Sequence, residues 1–245
     1  MLCDGIDRLE VAGALKSPYE ATDTILMALH VPIDALADES PARTIESELE
    51  ALSGDHALSV SSGRFARRVD LPHGAEWRAL YSRDTRPDYR YAFGMWWSKH
   101  APSLREMAAW VLLNPATGDT DGNPRPILTG CRHRSERWGY NGLIILNVFA
   151  YRDRNPKALK ALGEQRATGP DNDIVLSRIT AQCALTVAAW GDGGAGWKRA
   201  EAVRLILHRP VCLPKTGRIL SLKGQPFYPK GIPRVAKPVE LPLSA

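Results

Sequence analysis

Cysteine is scarce in this chain of 245 residues: Cys3, Cys131, Cys183 and Cys212 lie far apart, with no C-x-x-C pair. That spacing argues against a disulfide framework, and no signal-peptide pattern is visible, so the chain reads as cytoplasmic. Cys131-Arg132-His133 joins two metal-ligating residue types, but the paired spacing of a zinc site is missing, and neither a metal nor another cofactor is expected. Long hydrophobic runs are lacking as well. No stretch approaches the roughly eighteen apolar residues that cross a bilayer, so no membrane partner is expected. No internal repeat is visible, and neither sign of charge dominates. Lys and Arg number 32 against 27 Asp and Glu, a mild excess that permits a polyanionic partner without requiring one. The hydrophobic share of 44% and charged share of 24% are those of an ordinary globular protein. The length suits one substantial core with an accessory segment, and a monomer is expected.

What is present falls into two textures. Residues 1–88 read as an accessory segment, mostly helical: Ile25 to Leu29 and Ile45 to Leu52 have amphipathic spacing, and Asp38-Glu39-Ser40-Pro41 suits a helix start. Ser53 to Arg68 is polar and rich in Gly and Ser, then basic at Arg64, Arg67 and Arg68, and reads as a linker or mobile loop. Trp77 to Trp97 alternates aromatic with polar residues, as strands entering a sheet edge do. Residues 89–245 make up the second unit. In it Met107 to Leu113, Leu143 to Val148, Ala184 to Trp190 and Val211 to Leu213 read as strands, and Ile127 to Trp138, Pro170 to Gln182 and Trp197 to His208 as helices. Nearly unbroken apolar strands alternating with helices predict an α/β fold, a three-layer αβα sandwich around a central four-stranded parallel sheet.

In open sheets of that kind, ligands bind beyond the carboxyl ends of the strands, where loops converge and helix amino ends point. Asn114 ends the first strand, Asn147 the second, Gly191-Asp192 the third and Pro214-Lys215-Thr216 the fourth. The residues beyond those ends, among them Asp119, Asp121, Arg125, Arg152 and Arg154, are polar and unlike a core. Asn-Pro also forms plain turns, and a strand-end Asn also caps helices, so either amide alone is ambiguous. Their coincidence on one rim favours a site.

The ordered blocks Leu112-Leu113-Asn114-Pro115-Ala116-Thr117-Gly118-Asp119, Trp138-Gly139-Tyr140-Asn141-Gly142-Leu143, Asn147-Val148-Phe149-Ala150-Tyr151-Arg152 and Ala189-Trp190-Gly191 resemble the family named domain of unknown function 1643 (DUF1643). The resemblance covers about residues 89 to 232, and the family label carries no chemistry. The layout is also similar to the uracil-DNA glycosylase superfamily, most of all its mismatch-specific branch, where the Asn of a strand-end Asn-Pro motif holds the attacking water; a later strand-end Asn in the superfamily reads the base edge. This second resemblance implies a glycosylase-like fold and a DNA glycosylase. Such an enzyme hydrolyses the N-glycosidic bond of an altered base, uracil or one that phages install, and leaves an abasic site; defence against foreign DNA is the role that follows.

By the same resemblance Asn114 positions the water with Asp119 nearby, Pro115 shapes the loop and Asn147 reads the base. Phe149 and Tyr151 are candidates to stack a flipped base. Arg152, Arg154, Lys215, Arg218 and Lys223, with Gln225, are candidates to contact the nucleic acid. The closing motif departs from the pattern. Where the unknown-function family shows Gly-Gln-Pro-Arg-His-Pro, this chain has Gly224-Gln225-Pro226-Phe227-Tyr228-Pro229, so Tyr228 offers a phenolic donor in place of an imidazole. Two other readings stay open: an enzyme of free nucleotides or nucleosides, and a non-catalytic nucleic-acid-binding protein that kept the fold.

Overall fold

The computed structural model describes residues 43–65, 74–83, 88–116, 125–153, 155 and 157–242. Its strands are β1 (Ser59–Phe65), β2 (Ala75–Tyr81), β3 (Arg90–Trp96), β4 (Met107–Leu112), β5 (Gly142–Asn147), β6 (Leu185–Ala188), β7 (Val211–Cys212) and β8 (Val239–Glu240). Its helices are α1 (Ile45–His56), α2 (Pro126–Arg137), α3 (Lys157–Leu162), α4 (Glu164–Thr168), α5 (Asn172–Gln182) and α6 (Lys198–Ile206). The expected helical features at Ile25 to Leu29 and Asp38 to Pro41 lie outside the described residues.

Every residue of β4, Met-Ala-Ala-Trp-Val-Leu, is buried. A strand of that composition needs partners on both edges and cover on both faces. β5 and β6 supply the edges, both parallel to it, with Leu112 opposite Asn147 and Val111 opposite Ala188. Side chains alternate across the sheet. Ala109 and Val111 join one core with Ile45 and Leu49 of α1, Val175 and Ile179 of α5, and Val203 of α6. Ala108, Trp110 and Leu112 join the other with Leu128 and Cys131 of α2. There the Trp110 indole donates to the Ser135 hydroxyl at 2.9 Å and its ring stacks on Trp138.

The sheet is larger and more mixed than the expected four parallel strands. Eight strands are ordered β1-β2-β3-β5-β4-β6-β7-β8. The pairs β4/β5, β4/β6 and β6/β7 are parallel, whereas β1/β2, β2/β3, β3/β5 and β7/β8 are antiparallel. Of the four further strands, β3 and β8 belong to the second unit, and β1 and β2 come from the segment expected to be mostly helical. Its Ser/Gly-rich stretch, expected as a linker from Ser53, instead completes α1 as far as His56 and then forms β1. β1 is an edge strand with Ser61 and Ser62 facing solvent, so it needs a partner more than it needs apolar side chains. Gly63 lies opposite Trp77, and a Cβ there would come within 2.6 Å of the indole that covers it. β3, expected near an edge, is an interior strand with every residue buried.

α1 is capped by Thr44, whose hydroxyl accepts from the Ser47 amide at 3.2 Å. Its buried Glu48 is met by Arg43 at 3.1 Å and by Arg178 of α5 at 3.0 Å, which satisfies a charge that would otherwise oppose burial. Among the described residues no helix is long and apolar enough to cross a membrane.

Leu146 is fully enclosed beside β4. Leu146→Ala is expected to cost about 2–5 kcal/mol of stability in urea unfolding, whereas Ser61→Ala on the exposed edge shifts it by less than about 0.5 kcal/mol. Equal effects at the two positions would contradict this packing.

Candidate functional site

The parallel register brings the exits of β4, β5 and β6 to one side of the sheet. The ladder continues briefly past them, with the amides of Val148 and Phe149 donating to Leu112 and Leu113 and that of Ala189 donating to Val111. A cavity of about 380 Å³ opens between these exits. Its polar wall is Arg90, Asn114, Asn147, Asp153, Asp192 and Tyr228, and its apolar wall includes Leu113, Ile127, Ile145 and Trp190.

Asn114 is oriented by the neighbouring loop. Its amide nitrogen donates to the Asp153 carbonyl at 2.9 Å, and the Asp153 amide donates back to the Pro115 carbonyl at 3.2 Å. The side-chain carbonyl oxygen of Asn114 is the end left to accept a hydrogen bond from a ligand. Asn147, the last residue of β5, is 1% exposed, and neither its amide nitrogen nor its amide oxygen has a hydrogen-bond partner. Its main chain, by contrast, is firmly held. The Asn172 amide of α5 donates to the carbonyls of Asn147 at 3.1 Å and Val148 at 3.0 Å, and Arg199 of α6 donates to the same Val148 carbonyl at 3.0 Å. A buried amide left unsatisfied costs about 1–3 kcal/mol, so one fixed against a cavity has the character of a recognition group.

The far wall is built by the irregular segment after β7. At the β6 exit Gly191 adopts φ +70°, and a Cβ there would come 2.8 Å from the Cβ of Tyr228. The Gly191 amide donates to the Pro226 carbonyl at 3.0 Å, and the Trp190 indole donates to Gln225 at 2.8 Å. Arg134 of α2 is buried and donates to the carbonyls of Gly130, Pro229 and Ile232, the last at 2.6 Å. Arg204 of α6 donates likewise to Gly224 and Pro242. Burial pulls both guanidinium groups below their ordinary pKa, and the carbonyls they meet compensate the lost water. These contacts seat Tyr228 at the cavity mouth.

The structure thus gathers Asn114, Asn147 and Tyr228 around one cavity, with Pro115 adjoining through its carbonyl. Other expected residues go elsewhere. Phe149 is fully buried edge-on to Trp197, in the core that also holds Leu146 and Val148 and not on the face of Ile145. Tyr151 packs edge-on to Tyr89, and Arg152 lies over the Tyr81 ring at 5.0 Å. Lys215 and Arg218 pair in a tight turn and Lys223 is exposed, all outside the cavity lining. Gln225, expected as a nucleic-acid contact, is buried and accepts from the Trp190 indole as a strut of the wall. Asp119 and Arg154 lie outside the described residues. Sequence reasoning missed Arg90 and Asp153. The signal for Arg90 was an arginine at the head of an apolar strand, which needs a reason to be buried.

Among the described residues no group of three or more His, Cys, Asp or Glu is placed to hold a metal ion. Burial raises the thiols of Cys131 and Cys183 far above the ordinary range and that of Cys212 to about 11. The sequence profile of the family described as protein of unknown function, DUF1643, matches residues 90–229, more than half of the chain. No curated protein matches it.

Asn147 and Asn172 differ in what they bond, and stability measurements should separate them. Asn147→Leu, which removes an unsatisfied amide at similar volume, is expected to raise stability by about 1 kcal/mol in thermal unfolding. Asn172→Leu removes two hydrogen bonds to buried carbonyls and is expected to lower it by about 1–3 kcal/mol. A marked loss at Asn147 would mean that its amide is already engaged.

Proposed function

The chain belongs to the DUF1643 family, whose description assigns no activity, and from the cavity we propose that the protein is a DNA glycosylase, releasing an altered base by hydrolysis of its N-glycosidic bond. The observation that carries this reading is the buried, unpartnered Asn147 amide facing a cavity that Asn114 and Tyr228 also line. The cavity volume lies within the roughly 300–1,000 Å³ of small-molecule sites. In this reading β5, β4, β6 and β7 are the four-stranded parallel core of a uracil-DNA glycosylase-like sandwich, to which the antiparallel strands are added.

The chemistry follows from the bonding capacities on the wall. The glycosidic bond breaks through an oxocarbenium-like sugar, its electron pair leaving with the base. The Asn114 carbonyl oxygen accepts one hydrogen of a water and aims the oxygen lone pair at the anomeric carbon. Asp153 and Asp192 oppose the developing positive charge, and one of them takes the water proton. The Tyr228 hydroxyl donates toward the departing base anion, which a proton from solvent then neutralises. Asn147 presents one donor and one acceptor to the pairing edge, as discrimination between bases requires. A base inside duplex DNA must be flipped to reach this depth.

Asn114→Ala is expected to slow base release about 10²- to 10³-fold, comparable to deleting one preorganised catalytic group, with DNA affinity nearly unchanged. Asn147→Ala is expected to change which base is accepted. The measurement is single-turnover release of free base from uracil-containing, mismatched and phage-modified oligonucleotides, followed by alkaline cleavage at the abasic site. Full activity of folded Asn114→Ala would defeat the mechanism. Turnover of free nucleotides alone would replace DNA as the substrate.

A further inference from the structure

We propose that a second cleft, between α4 and the start of α6, binds a phosphoryl group. The cleft measures about 910 Å³ and is separate from the nucleobase cavity; Arg166, Lys198 and Arg199 supply cations to its lining against the single carboxylate of Glu164. Arg199 is the central element. It is 6% exposed, its Nε holds the Val148 carbonyl and its Nη1 pairs with Asp173, yet its Nη2 has no hydrogen-bond partner. A planar guanidinium fixed on two sides with one edge unfilled is a receptor for an oxyanion.

The helix supports the same ligand. α6 begins at Lys198 after Trp197, which makes no side-chain cap. Lys198 and Arg199 therefore place two cations in a first turn whose macrodipole is already positive, a position that costs about 0.3–1 kcal/mol per charge unless an anion answers it. Glu201 lies in the same turn but does not line the cleft, and Asp173 engages only one nitrogen of Arg199. A tetrahedral phosphoryl group would meet the free Arg199 edge, the Lys198 ammonium and the amide end of the helix together. Arg166 closes the opposite wall from α4.

The same chemistry is carried by a free phosphorylated compound and by a nucleic-acid backbone, and two probes distinguish them. Titration calorimetry of the full chain at low salt uses inorganic pyrophosphate in one arm and a decathymidylate in the other. Arg166→Ala/Lys198→Ala, which removes two exposed side chains, is expected to weaken whichever probe binds by about tenfold or more, as loss of charged hydrogen bonds does. Weakened pyrophosphate binding identifies a site for a free anion; weakened oligonucleotide binding without pyrophosphate binding identifies a backbone contact. Failure of both probes to bind, or binding of the double variant equal to the parent, overturns the proposal. Because Asn114→Ala leaves this cleft intact, loss of base release in that variant with unchanged phosphoryl binding keeps the two sites independently testable.

Discussion

The insertion of β4 between β5 and β6 governs what this molecule can do. A strand of six buried residues gains its stability by removing apolar area from water on both faces, and the parallel partners that provide this must end where it ends. Three chain exits are thereby forced onto one side of the sheet, and the loops leaving them cannot all fill the space between. The cavity is a geometric result of that alignment. Its polar lining is what the loops happen to carry at their first residues, and here they carry two asparagines, a glycine and two aspartates close by.

The polar groups around the cavity are treated in two opposite ways. Asn172, Arg134, Arg199 and Arg204 are buried and spend donors on main-chain carbonyls, which compensates their desolvation and stiffens the loops. Asn147 is equally buried and uncompensated. The contrast matters because Asn172 and the three arginines each leave one polar atom unpartnered while bonding through the others, whereas both polar atoms of the Asn147 side chain are without a partner, and groups left so bare collect at sites where a ligand completes the bonding.

Much of the sheet was legible because β4, β5 and β6 are short apolar runs bounded by turn residues, and the rim followed from where those runs end. β1 was not legible. Its Ser-Val-Ser-Ser-Gly-Arg-Phe sequence has the composition of a linker, and only pairing with β2 and the indole over Gly63 make it a strand. The strand-end position of Asn114 and Asn147 placed them at the cavity without any knowledge of packing. Alternation along β5 would put Phe149 on the face of Ile145 and Asn147, but the pattern breaks after the strand and the ring enters the opposite core against Trp197. The role of Gln225 in the wall was not legible because its partner, Trp190, is 35 residues away in sequence. Long-range hydrogen bonds between an irregular segment and a strand end leave no periodic trace.

The segment from Lys215 to Pro242 is positioned largely through its own carbonyls and amides: Arg134 grips Pro229 and Ile232, Arg204 grips Gly224 and Pro242, and Gly191 grips Pro226. Every residue type offers the same carbonyl, so these tethers dictate a path and are nearly blind to the side chains that follow it. The wall of the cavity can therefore be rewritten one side chain at a time while the sheet, the tethers and the strand-end amides stay as they are. A change of side chain at Tyr228 is a substitution that such a scaffold admits, and it separates the evolution of chemical preference from the evolution of the fold.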